Sequence, residues 1–328
     1  MNRIAYLIPY FGKLPSSFGL WLLSAGTNKD VSFIIITDDH THYDYPDNIT
    51  VFYTTWDNIK ERISSFYDFD ICLDRPWKLC EFKPAYGEIF SEELKGYEFW
   101  GHCDMDLIWG DINKFITDDI LNKFDKIGIW GHSTLYRNTP EVNLRYRTII
   151  DEVSYIEAFS NSKAMLLDEF GMIKIYEHLN IPYYSDNNFA SLDMWTKSFF
   201  VGNLPAEEAY KNRRQVFVWK KGKLYRYYLD QNNCMQWEEF LYFHTFARPV
   251  KYKIDIYDEN EMYIAYPDTI KRMKPEMLTP QFVKRKGTCS TFRYYLVMAY
   301  ANRKRLTPKV IWNNIMKRIE LHKTRGFS

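Results

Sequence analysis

The sequence predicts an α/β chain with a mostly parallel central sheet flanked by helices and a basic helical extension at the C-terminal end. Three observations carry this. Apolar, β-branched runs alternate with helix-like segments through the first third. Acidic residues follow directly on the ends of those runs. Residues 271–328 hold 15 Lys and Arg against two Asp and Glu, a net of +13, whereas residues 1–270 carry −12.

Residues 4–8 (IAYLI) form an apolar run that breaks at Pro9, Tyr10, Phe11 and Gly12, which reads as a buried strand and a turn. Residues 16–24 read as a helix. Val31–Thr37 (VSFIIIT) reads as a central strand, with Asp38 and Asp39 at its carboxyl end. Ile49–Tyr53 is a third strand. Residues 58–66 and 84–94 are helical, the latter with Pro84 in its first turn. Phe99–Cys103 is a strand ending at Asp104, and 127–130 is another. Residues 155–159 resemble a strand, 168–179 a helix, and 215–228 a hairpin around Lys221 and Gly222. Residues 241–243 are short and apolar, with His244 next, and 250–270 read as a connection. The chain thus divides into a unit at 1–250 and a connecting region with a basic amphipathic extension at 251–328.

A content of 46% hydrophobic and 26% charged residues in 328 excludes wholesale disorder and supports a large core. Aromatics reach 18%, which suits cores and also surfaces that stack on sugars. Five cysteines without CxxC spacing argue against a disulfide framework or a zinc knuckle and for reduced thiols. The start lacks the apolar region of a leader, and no stretch near it reaches the roughly 20 apolar residues of a spanning helix. A cytoplasmic chain is expected. The total charge of +1 and the lack of a reading motif argue against nucleic acid as a partner. In the extension, Val310, Ile311, Ile315 and Ile319 recur at helical spacing among Lys and Arg. Such a segment suits an anionic membrane surface, which places the chain peripherally on the cytoplasmic face. Packing of that segment on the acidic body is the alternative.

In α/β sheets ligands bind beyond the carboxyl ends of strands, so residues 10–12, 38–39 and 104–106 are expected to converge on one crevice. The sharpest pattern there is Asp104-Met105-Asp106. In extended geometry residues i and i+2 point the same way, and two carboxylates held together repel unless a cation lies between them. Oxygen ligands of this kind suit Mg2+ or Mn2+, ions that usually also hold substrate phosphates. A turn whose carboxylates bond backbone amides is the plainer reading.

On the blocks 78–87, 99–111 and 240–248, residues 1–250 resemble bacterial polysaccharide glycosyltransferases of the GT-A fold, of the capsule and O-antigen type. The resemblance implies that Asp104 and Asp106 bind a divalent metal on a nucleotide-sugar diphosphate, most simply a UDP-sugar. It implies His244 as a further metal ligand or diphosphate contact, and Lys83 as a contact to donor sugar or phosphate. It implies that Asp38 accepts a hydrogen bond from the uracil or ribose, and that Tyr10, Phe11 and Gly12 lie along the nucleotide. The acceptor would be a glycan or lipid-linked glycan.

Sugar transfer from a nucleoside diphosphate must stabilise charge growing on the leaving group, which a divalent cation does as a Lewis acid. Lys78, Lys83 and Arg248 would add charge-assisted bonds. An inverting reaction needs a carboxylate base, for which Asp168 and Glu169 at a helix start are candidates, with Asp186 and Asp193. His102, Trp109 and Trp130 read as packing residues, His132 as a candidate for the acceptor side. Two rival classes share features of this sequence: a phosphohydrolase of the haloacid-dehalogenase type, which uses a DxD near the domain start, and a non-catalytic carbohydrate- or lipid-binding protein.

Overall fold

Alternation within the first strand sets the architecture. In β1 (Ile4–Tyr10), Ile4, Tyr6 and Ile8 join one apolar layer while Ala5 and Leu7 join another. In β2 (Val31–Thr37), Val31, Phe33 and Ile35 point one way, Ile34 and Ile36 the other. A sheet apolar on both faces has to be covered on both. The helix Phe18–Gly26 covers one face with Phe18, Trp21, Leu22 and Ala25. Ile59 and Ile63 of the helix Trp56–Ser64, and Ile175 and Tyr176 of the helix Met172–His178, cover the other. The structure is a computed structural model and describes residues 2–185, 187–192, 199–205, 214–245, 250–266 and 269–287.

β3 (Ile49–Tyr53), β2, β1 and β4 (Phe99–Cys103) run parallel in that order. β7 (Ser133–Arg137) and β6 (Lys126–Trp130) then extend the sheet antiparallel. The sheet is therefore mixed, which corrects the expectation of a mostly parallel one. The reason is local: Gly131 and His132 alone join β6 to β7, and a connection that short closes only an antiparallel hairpin.

A second sheet, in the order β5 (Leu107–Trp109), β13 (Tyr242–His244), β8 (Phe189–Leu192) and β9 (Phe199–Val201), lies next along the chain from β4. β13 pairs antiparallel with β5 and parallel with β8. A third sheet has the order β12 (Met235–Phe240), β11 (Lys223–Leu229), β10 (Gln215–Lys220), β15 (Met262–Tyr266), β16 (Thr269–Arg272) and β14 (Lys251–Lys253). The β10–β11 hairpin turns at Lys221 and Gly222, both at positive φ (49° and 74°), the backbone that two-residue hairpins favour because it matches strand twist. Trp219 Nε1 donates to Trp109 O at 2.8 Å and ties this sheet to the second.

Other sequence readings are corrected here. Residues 155–159 are helical (Tyr155–Ser160), capped by the Ser154 hydroxyl, which accepts from Glu157 N. The single helix read at 84–94 is broken into a 3-10 turn and the short helix Tyr86–Ile89. Residues 250–270 contain strands of the third sheet rather than a plain connection, and β15 among them pairs with β10. The start of the basic segment also packs: Phe282 and Val283 of the helix Pro280–Lys286 lie against Val216 and Val218. Residues 288–328, the greater part of that segment, lie outside the described residues. Among the described residues no helix is long and apolar enough to cross a membrane.

Candidate functional site

Between β4 and β5 the chain makes a turn, and Asp104 and Asp106 sit on it with Met105 buried between them. The two carboxylates meet through this turn rather than through continued strand geometry, a correction to the alternation argument. Its backbone is pinned from three elements. His132 O accepts from Asp104 N at 3.1 Å, and Ser17 Oγ donates to Met105 O at 3.0 Å. Thr245 donates to Asp106 O from both its N–H, at 3.0 Å, and its hydroxyl, at 3.1 Å. Pairing of β13 with β5 sets His244 opposite Leu107, and His244 Nε2 lies 3.3 Å from Asp106 Oδ1. One ligand atom each from Asp104, Asp106 and His244 lies within 4.8 Å of the others.

Lys83, at the start of the 3-10 turn before the helix Tyr86–Ile89, borders the same site. Its Nζ donates to Asp104 Oδ1 at 2.7 Å and to Gly131 O at 2.7 Å, and stands 3.7 Å from Asp168 Oδ2. Burial works against its charge, but Asp104 and Asp168 outweigh that and hold the ammonium well above the ordinary lysine range. Burial pushes the Asp168 carboxyl up to about 7, with Lys83 pulling the other way. Burial likewise raises Glu169, whose Oε1 accepts from Gly131 N at 3.1 Å. A Cβ at Gly131 would meet Asp168 Oδ2 at 2.4 Å, so a side chain there would push that carboxylate aside.

Glu81 explains why Asp168 and Glu169 sit where they do. Its Oε1 accepts from Met165 N (2.6 Å) and Leu166 N (3.1 Å), and its Oε2 from Leu167 N (3.0 Å). That grip fixes the entry to a wide π-helical turn, Leu167–Gly171, with Leu166 in the left-handed region at φ 58°. Such turns often mark functional sites.

A cavity of about 570 Å³ opens on Asp104, Asp106 and Lys83 and is also lined by Tyr10, Phe11 and Tyr252. Trp77 stands at the same cavity, 51% exposed. Burial, then Asp106 and Asp39, raises the Tyr10 phenol. Asp38 Oδ1 accepts from Gly12 N at 2.7 Å, so it shapes the turn after β1, where Gly12 takes φ 92°. Lys78 is fully buried and donates to Ala158 O at 3.0 Å and Lys163 O at 2.7 Å. Those carbonyls hold it away from the cavity, which corrects its assignment as a phosphate contact. His132 packs behind His244, ring centroids 4.6 Å apart, and its Nδ1 lies 2.9 Å from Tyr242 Oη. His102 and Trp109 are buried, and Trp130 stacks on His132. Asp186, Asp193 and Arg248 lie outside the described residues.

The sequence reading missed Glu81, Thr245, Tyr252 and Trp77. Glu81 and Thr245 lie within the blocks 78–87 and 240–248, and Trp77 directly precedes the first. Tyr252 had no signal, because its strand was read as a connection.

Two carboxylate oxygens and one imidazole nitrogen, gathered within ligand reach of one another, fit Mn2+ or Mg2+ by donor type. A model of a family of unknown function (DUF6625) matches residues 6–274. No curated protein matches the chain. Among solved structures the chain is similar to the glycosyltransferase GlyE of Streptococcus pneumoniae TIGR4, at 10% identity and a TM-score of 0.34. That similarity covers 57% of this chain and 45% of the other, so the chain spans less than half of that protein's length.

Proposed function

The chain belongs to the family of unknown function DUF6625, and we propose that it is a metal-dependent glycosyltransferase. In this reading it moves a sugar from a nucleotide-sugar, a UDP-sugar in the first instance, to a glycan or lipid-linked glycan. The observation that carries it is the meeting of Asp104, Asp106 and His244 at a cavity beyond the carboxyl ends of β1 and β4.

Asp104, Asp106 and His244 would hold Mn2+ or Mg2+, which when bound supplies Lewis-acid stabilisation of a departing diphosphate. Lys83 places a second positive charge on the same wall of the cavity, within reach of phosphate oxygens. Tyr10 and Phe11 line the side where a nucleotide would lie, and Asp38 holds the following turn through Gly12 N. Trp77 offers an exposed aromatic face to a sugar ring. Asp168 reaches the site through Lys83 and acts on that lysine's position. Glu169, part-exposed on the same turn, would be the carboxylate that serves an acceptor hydroxyl. Residues 1–250 would form the catalytic unit, with Tyr252 reaching in from the third sheet, and the basic segment would bring the chain to an anionic membrane.

A thermal-shift screen of UDP-, GDP- and dTDP-sugars with Mn2+ tests the reading. One nucleotide-sugar should raise the melting temperature in a Mn2+-dependent way, and Asp106→Ala should lose that rise while staying folded. No response to any of the donors, or an undiminished rise in the variant, would overturn it.

A further inference from the structure

Lys83 stands where two ligands would compete for it. Its Nζ engages a candidate metal ligand (Asp104 Oδ1, 2.7 Å), a main-chain carbonyl (Gly131 O, 2.7 Å) and, at 3.7 Å, the buried Asp168 carboxyl. A carboxylate already bonded to an ammonium is a poorer metal ligand. A second cation arriving within a few ångströms also meets a repulsion that a partly buried site screens weakly. Yet Lys83 lines the same cavity as Asp104 and Asp106, so an anion entering there comes within its reach.

We propose that Lys83 is an exchangeable counter-ion, which holds Asp104 while the cavity is empty and moves to a diphosphate oxygen when a nucleotide enters. Metal and diphosphate then bind cooperatively, and metal alone binds weakly. This deepens, and rests on, the reading of the cavity as a nucleotide-diphosphate site. Gly131 O and Asp168 make the exchange feasible, since both remain beside Nζ when it leaves Asp104. By linkage, the gain in metal affinity caused by nucleotide equals the gain in nucleotide affinity caused by metal.

The test is calorimetric titration of Mn2+ into the full chain, with and without UDP. Lys83→Gln should bind Mn2+ alone at least tenfold more tightly than the wild type, and the gain on adding UDP should shrink by at least tenfold. Lys83→Arg keeps the charge and should bind Mn2+ alone as weakly as the wild type. Lys83→Met also removes the charge and should match Lys83→Gln, which keeps the test decisive if one of the two variants fails to fold. Equal or weaker Mn2+ affinity in the charge-removing variant that folds overturns the proposal. A wild-type Mn2+ affinity that ignores UDP overturns the exchange and the diphosphate reading together. A UDP response that persists undiminished in Lys83→Gln overturns the exchange alone.

Discussion

Glu81→Gln separates the framework of the site from its ligand-holding part. The Glu81 carboxylate accepts three successive backbone N–H groups, two at Oε1 and one at Oε2. Glutamine keeps one oxygen and presents an NH2 group to Leu167 N–H, so one buried donor loses its partner, at about 1–3 kcal/mol. The two surviving bonds change from charge-assisted to neutral, which roughly halves their strength, or about 1 kcal/mol each. Lys78, itself buried and 4.0 Å from Glu81, loses a neighbouring negative charge as well. The sum is a destabilisation of about 3–5 kcal/mol. Urea unfolding at neutral pH measures it as a lower midpoint with an unchanged slope. Mn2+ and UDP binding should change by less than about threefold, because Asp104, Asp106 and His244 are pinned by other bonds. A loss of stability below about 1 kcal/mol would refute the view that this carboxylate holds the Leu167–Gly171 turn.

Two further predictions concern charge. Lys126 is fully buried, and burial lowers it to about 7, with Asp168 opposing the shift. Between about 7 and its ordinary value the unfolded chain carries a proton that the folded chain lacks, so stability rises with pH over that window. Lys126→Met removes this slope; its stability relative to wild type should be about 2 kcal/mol more favourable at pH 7.5 than at pH 9. Parallel pH profiles in denaturant titrations would contradict the buried-lysine assignment. The chain ending at Gly287 keeps the packed Phe282 and Val283 but drops the bulk of the basic segment. It should fold as before yet lose flotation with anionic vesicles, and equal flotation of the two chains would remove the membrane role.

Much of the core was legible because its signal is local. The run Val31–Thr37 carries Val31, Phe33 and Ile35 on one face and Ile34 and Ile36 on the other, the pattern of a strand covered on both faces, and Lys221-Gly222 supplies the two positive-φ residues of a hairpin. The Asp104–Asp106 pair is visible in the sequence as two acids directly after an apolar strand. Their meeting with His244 was not legible from spacing, because it depends on β13 pairing with β5 across more than a hundred residues. Tyr155–Ser160 was misread because its aromatic and β-branched residues favour strands, whereas the Ser154 cap and the burial of Ala158 and Phe159 decide for a helix. Lys78 was misassigned for a similar reason. Its sequence neighbours belong to the site block, but its side chain turns inward to two carbonyls that only the folded chain brings near.

The central claim is that Asp104, Asp106 and His244 share one divalent cation facing a diphosphate. Anomalous diffraction at the manganese edge, from crystals of the full chain grown with Mn2+ and UDP, tests it most directly. The account predicts a single strong peak within about 2.5 Å of both carboxylates and of the imidazole, beside the nucleotide phosphates. A peak elsewhere, or none within bonding distance of those three side chains, would contradict it.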